Sequence, residues 1–346
     1  MLQKNKSYIY WVLPFLMVAI ALLSIAMGAV EISTYEMYTA LIKFITGNKL
    51  YSLNENVFLQ LRLPRVALCA IGGAILAVSG VLMQGLFRNP IVEPGLMGTS
   101  SGAAFGASIV FVLSANFSPV FKEILGPLLT PLFAFIGSLI ATLSVYMLSK
   151  KQKTIPVVSL LLVGMAVNAL CISGTGFMSY IARDPQARSI TFWSLGTFNG
   201  ASWFQVELVA LVLGICLFFI IKYAKQLNAL MLGEEEALYL GVDVEKMKKF
   251  LLLLNTFLVA ILTSFVGVIS FIGLIVPHIL RFSIGSDNRV LLIASGILGA
   301  IILMAADLLS RTLVAPAEIP IGVITSLVGA PVFIFLLRRS VFIDKY

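Results

Sequence analysis

Charge is what this chain has least of. Only 12% of its 346 residues are Asp, Glu, Lys or Arg, about half the roughly 25% usual in a soluble domain. Histidine occurs once, at His278, and the three cysteines, Cys69, Cys171 and Cys216, lie in separate apolar runs. With no Cys-x-x-Cys pair and no Cys/His cluster, neither a disulfide framework nor a metal site is indicated. A P-loop, HExxH, GxSxG and paired carboxylates are missing as well, so the chain carries no nucleotide-hydrolysing or familiar catalytic signature of its own. The alternating period of a membrane β-barrel is also absent.

What is present is oil. The chain is 60% hydrophobic with a mean hydropathy of +1.03, and apolar runs near 20 residues recur from end to end. Such runs match the hydrocarbon thickness, and helices satisfy their backbone hydrogen bonds within each segment. The expectation is an all-α polytopic membrane protein, one transmembrane domain over residues 1–346. Clear spans are Tyr8–Val30, Val66–Leu86, Leu96–Leu113, Leu128–Leu148, Val157–Ile181, Val206–Ile221, Val290–Leu309 and Ile321–Leu337. Tyr8–Val30 superficially resembles a signal peptide; it is too long for an h-region and lacks a convincing cleavage site, so it reads as a retained helix.

The run Phe250–Leu280 is ambiguous between one long helix and two shorter ones with a turn near Ser270–Gly273. Charge decides between them. Lys246, Lys248 and Lys249 precede the run, and Arg281 and Arg289 follow it. The positive-inside rule puts both groups in the cytoplasm, so the run crosses twice. This gives about ten spans with both termini cytoplasmic, and an inside excess of basic residues of about two to one. The net charge of +8 then reflects basic cytoplasmic loops, not nucleic-acid binding.

Three loops are long: Glu31–Arg65 and Ala182–Gln205 outside, Lys222–Lys249 inside. The second contains FWSLGTF, which has room for a short re-entrant helix. RNPIVEPGLMGTSSGA, from Arg88 to Ala103, places two prolines and two glycines between spans two and three. Irregular backbone at membrane depth is tolerated where it lines a cavity or is buried in protein, so this turn reads as a pathway element. Asp307, well inside a span, stands at i, i+4 to Arg311 and suits an ion pair near the outer end. His278, beside a proline, reads as structural before it reads as a ligand. Arg62 and Arg65 in LQLRLPR are open to two readings: interfacial snorkelling, or docking of an acidic protein surface.

The most polar stretch is LMLGEEEALYLGVDVEKMKK, Leu230–Lys249. Gly233 precedes three glutamates, which favour a helix N-terminus. Glu234–Leu240 can form two turns, Gly241 suits a left-handed stop, and Asp243 suits an N-cap. So short a helix is not stable alone in water; it must pack on something, and Leu238 and Leu240 are its apolar anchors.

LRLPR, SGVLMQGLFRNPIVEPGLMGTSSGA, LGEEEALYLGV, FIGLIVPHILR and AEIPIGVITSLVGAPVF occur in that order. Together, from about Leu61 to Leu337, they resemble the FecCD family: permease subunits of type II ABC importers for vitamin B12, haem and iron–siderophore complexes. The resemblance implies a second permease subunit, homodimer or close paralogue, two cytoplasmic ATPase subunits, and a periplasmic or lipid-anchored binding protein. It implies no cofactor in this chain, ATP and Mg being held by the ATPase, and a place in the bacterial inner membrane. By the same resemblance Leu232, Gly233, Glu234, Ala237, Leu238, Leu240 and Gly241 look like the coupling helices between spans six and seven that dock in the ATPase cleft. Arg62, Arg65 and Arg311 look like the outer arginines that meet glutamates of the binding protein. Asn89 and Ile91 fall at a cytoplasmic gate, and Val157 and Val158 at a second gate where some relatives carry hydroxyls. Span five and FWSLGTF are the expected pathway wall, mostly apolar. The competing class is an ion-gradient-driven secondary transporter, which needs intramembrane carboxylates.

Overall fold

In the computed structural model, residues 9–28, 30, 32–46, 52–114, 126–150 and 156–343 are described. Among them there is no strand. The extreme ends, with Lys4, Lys6 and Lys345, lie outside this set, as do Lys49, Lys122, Lys151 and Lys153. The elements are α1 (Ile9–Ala26), α2 (Thr34–Ile45), α3 (Leu53–Asn56), α4 (Leu63–Phe87), α5 (Thr99–Leu113), α6 (Leu129–Ser149), α7 (Val157–Ile181), α8 (Asp184–Ser194), α9 (Trp203–Leu232), α10 (Glu234–Tyr239), α11 (Val244–Val266), α12 (Ile272–Ile284), α13 (Asn288–Thr312) and α14 (Ile321–Ile343).

Six helices are long and apolar enough to cross a membrane: Leu53–Phe87, Gly126–Ser149, Val157–Ile181, Trp203–Leu232, Val244–Val266 and Asn288–Thr312. Four shorter apolar helices accompany them: Trp11–Ala26, Thr99–Leu113, Ile272–Ile284 and Ile321–Leu336. The expected second span is the tail of a longer rod, because α3 continues through a π-turn at Val57–Arg62 into α4. The Phe250–Leu280 run is indeed two helices, broken earlier than expected, at Gly267–Phe271, where Phe271 is left-handed at φ 71°.

Helix α4 is the hub. It is buried on nearly every side and packs on α9, α11, α12 and, most extensively, α13. Small residues set these distances: a Cβ on Gly73 of α4 would collide with the Gly299 carbonyl of α13, and one on Gly299 with that of Gly73. Buried polar groups add direction. Ser79 Oγ donates to Asn255 Oδ1 across α4 and α11, and Gln84 Nε2 donates to the Leu274 carbonyl at 3.2 Å. By contrast α7 and α9 keep most of their surface outward.

Candidate functional site

Three sites follow from this frame, at the two ends of the bundle and between them. At one end of the bundle α1 stops at Ala26, so its last carbonyls lack intrahelical partners. Two arginines supply them. Arg62 Nη1 donates to the Ile25 and Ala26 carbonyls at 3.0 and 3.1 Å, and its Nη2 to that of Val30. Arg311 Nη2 donates to the carbonyl and hydroxyl of Ser24 at 2.9 and 2.8 Å, and Nη1 to the Met27 carbonyl at 3.2 Å. Cations at a helix C-terminus also complement its dipole. Arg62 and Arg311 are consequently buried, at 6% and 9% exposure.

Arg65 faces two carboxylates. Its Nε and Nη2 donate to Asp307 Oδ1 at 3.0 and 2.9 Å; Nη1 and Nη2 donate to Glu318 at 2.8 and 2.9 Å. Asp307 is sealed at 1% exposure, and its Oδ2 lies 3.0 Å from Arg311 Nε as the i, i+4 pair. Spacing along one helix revealed that pair. It gave no hint of Arg65–Asp307, which joins residues 242 positions apart.

Between the ends lies a cavity of about 640 Å³. The proline turn contributes Glu93–Leu96, α5 contributes Ser100 and Ser101, α7 contributes Asn168, Ile172, Thr175 and Ser179, and the break before α12 contributes Val268–Phe271. Ser194 and Leu195 of FWSLGTF line it too, while the helix in that loop, α8, lies mostly ahead of the motif. The lining is mainly apolar, interrupted by one carboxylate, one amide and several hydroxyls. Asn168 ties α7 to the turn: its Nδ2 donates to the Gly95 carbonyl at 3.2 Å, and its Oδ1 accepts from Ser101 Oγ at 2.5 Å. Sequence reasoning passed over Glu93. The Phe271 N–H faces its carboxylate in the cavity wall. The signal was the only acid of the proline turn.

The gate candidates do not line this cavity. Asn89 Oδ1 accepts from the Ile91 N–H at 3.0 Å in the turn that follows the left-handed Arg88, leaving Ile91 half exposed. Val157 packs against the core at the start of α7, and Val158 points outward.

At the other end, α9 overruns the expected span and stops at Gly233. The six residues of α10 follow, and Gly241 at φ 80° turns the chain into α11. Asp243 caps α11, accepting from the Lys246 N–H at 3.1 Å. Lys246, which is also its ion-pair partner, holds the Asp243 carboxyl below the usual carboxylate range. Ala237, on the inner face of α10, is fully buried. Glu234 pins the helix start, accepting from Lys248 Nζ at 2.7 Å and lying 4.0 Å from Arg88. Leu232, Leu238, Tyr239 and Leu240 are left outward at 70%, 59%, 89% and 64% exposure. Tyr239, the most exposed of the four, was not among the expected contacts.

Comparison with known proteins agrees with this architecture. The FecCD transport family matches residues 16–339. The hemin transport system permease of Yersinia pestis is 42% identical over 329 residues, covering 94% of this chain and 93% of that one. The cobalamin import permease of Halobacterium salinarum is 41% identical over 278 residues, covering 80% and 72%. An inward-facing transporter of the metal-chelate ABC type superposes with a TM-score of 0.80 at 31% identity, over 96% of this chain and 99% of the other. The chain, an all-helical multi-pass protein of the bacterial inner membrane, therefore belongs to the FecCD transport family.

Proposed function

We propose that this chain is the membrane permease of an ATP-driven importer for a metal chelate: an iron–siderophore, haem or cobalamin. It spans the membrane about ten times, the four shorter apolar helices completing the six long ones, with both termini cytoplasmic. It pairs with a second permease and two ATPase subunits, and takes its cargo from a binding protein outside. The observation that carries this reading is the tip of α10. Leu238 and Tyr239 on this helix, with Leu232 and Leu240 flanking it, are exposed while the helix is held from below by Ala237 and Glu234. A rigid apolar patch rimmed by charge marks a protein contact.

In this mechanism the ATPases close on ATP, α10 transmits the motion through the rigidly joined α9 and α11, and the bundle opens alternately to each side. The cavity beside α7 is part of the route, and its mixture of apolar surface and hydroxyls holds cargo weakly enough to release it. Asn89, Ile91, Val157 and Val158 lie toward the cytoplasmic ends of α4 and α7, where a gate is needed. Asp307 is committed to two arginines and Glu318 to one of them, which takes both away from a gradient-driven mechanism.

The test is retention of the ATPase. In the reconstituted transporter, Leu238→Asp with Leu240→Asp places two charges in the contact, and the ATPase is expected to bind about 100-fold more weakly, since each buried leucine contributes about 1.5–3 kcal/mol. Uptake should fall with it. Uptake that persists without any ATPase, and collapses when the proton or sodium gradient is dissipated, would establish the gradient-driven reading instead.

A further inference from the structure

The outer face holds three arginines, and they are not equally available. Arg62 and Arg311 spend their donors on the carbonyls that end α1. Drawing either away strands those carbonyls, so neither guanidinium is free to leave for a partner. Arg65 is different because its fork is divided. The inner edge grips Asp307, which is sealed and shared with Arg311; the outer edge grips Glu318.

Glu318 differs from Asp307 in every property that matters for exchange. Its side chain is 37% exposed against 1%. It sits in the irregular connection between α13 and α14, and among the described residues both of its hydrogen bonds go to Arg65. Nothing else in the fold is anchored by them. A carboxylate arriving from solvent can make the same two bonds with the same planar geometry. The swap also preserves charge balance: Arg65 and Arg311 remain matched by two carboxylates before and after it.

We propose that Glu318 is a built-in stand-in for the docking carboxylate. It occupies the outer edge of Arg65 in the undocked permease and is displaced by an acidic side chain of the substrate-binding protein. The inference rests on the reading of this face as the binding-protein dock, and it narrows that dock to Arg65. Because one ion pair is exchanged for another, the exchange itself adds little net affinity and is readily reversed.

The experiment uses the complete transporter, with its ATPases, in lipid vesicles, and the purified binding protein without cargo. Docking affinity is measured at low salt. Glu318→Gln removes the competing charge on a half-exposed loop and is expected to tighten docking about two- to fivefold, the scale of one partly exposed ion pair. Arg65→Gln is expected to weaken docking by at least as much, and adding Glu318→Gln to it should change nothing further. Co-purification of the ATPases checks that each variant is assembled. If Arg65→Gln weakens docking while Glu318→Gln leaves it unchanged or weaker, the stand-in is overturned and the dock survives. If Arg65→Gln has no effect, the dock itself is misplaced and the proposal falls with it.

Discussion

The two ends of this bundle handle their contact residues in opposite ways. The end that carries Arg62, Arg65 and Arg311 turns these arginines inward, each matched by a carboxylate or by helix carbonyls. The opposite end leaves leucines and a tyrosine exposed among the described residues, on and beside a helix of six residues. A satisfied charge in water can exchange partners at little net gain, which suits a visitor. An uncovered apolar patch gains wherever it is buried, which suits a resident. Interfaces of permanent complexes are the more hydrophobic ones for the same reason. Under the proposed function, this difference assigns a transient partner to the arginine end and a standing one to the leucine end.

The comparison breaks most decisively at Asp307. Its carboxylate lies between Arg65 and Arg311 at 1% exposure, and both guanidiniums are largely buried. Removing it leaves two cations facing one remaining carboxylate, Glu318. Asp307→Ala should destabilise the protein by about 3–5 kcal/mol, the range for breaking a buried charge pair from one side. The readout is the yield of folded protein and its apparent melting midpoint in detergent. A variant that melts within a degree or two of the parent would show that the outer charges are not held by Asp307.

Next in size comes Glu234, the tether of α10. Its partners are Lys248 at 2.7 Å and Arg88 at 4.0 Å, and its own side chain is 42% exposed. Glu234→Gln should leave the fold intact and loosen α10, weakening ATPase binding by about two- to fivefold, since partly exposed pairs contribute up to about 1 kcal/mol. The same change at Glu235, which is exposed and stands one residue further along, should do less. Equal effects from both would mean that the glutamates act only through bulk charge.

How much of this was legible in the sequence depends on distance along the chain. The Asp307–Arg311 pair, the Asp243 cap and the left-handed Gly241 are all separated by a few residues, and local spacing specifies them. Arg65–Asp307, Arg62 on α1 and Asn168 on the proline turn join distant segments, and only packing brings them together. The same limit explains why Arg62 and Arg65 stay open between snorkelling and docking in the sequence: nothing near Arg62 or Arg311 announces that the carbonyls of α1 will need them. Glu93 was overlooked for a related reason. A single acid in a turn looks solvated until α7 and the break before α12 close around it.

The smallest expected effect tests whether an exposed charge cluster on a connecting turn does more than decorate it. Asp287 caps α13, accepting from the Arg289 N–H at 3.0 Å and from Asn228 Nδ2 at 2.7 Å, with the Arg289 guanidinium at 2.7 Å. Arg289 first, then Asn228 and the backbone N–H, hold its carboxyl well below the usual carboxylate range. A carboxyl depressed in the folded state stabilises above its unfolded value of about 3.9 and loses that contribution as pH falls through the folded value. Asn caps a helix about as well as Asp, so Asp287→Asn isolates the charge. The variant should melt slightly lower than the parent, by no more than about 1 kcal/mol, with a constant gap from pH 8 to 5. Below about pH 4 the gap should close, because the unfolded parent takes up the proton while the folded carboxyl still resists it. A gap that widens on acidification would mean that Asp287 is not the group whose charge steadies this turn, and would place the acid-sensitive contact elsewhere in the cluster.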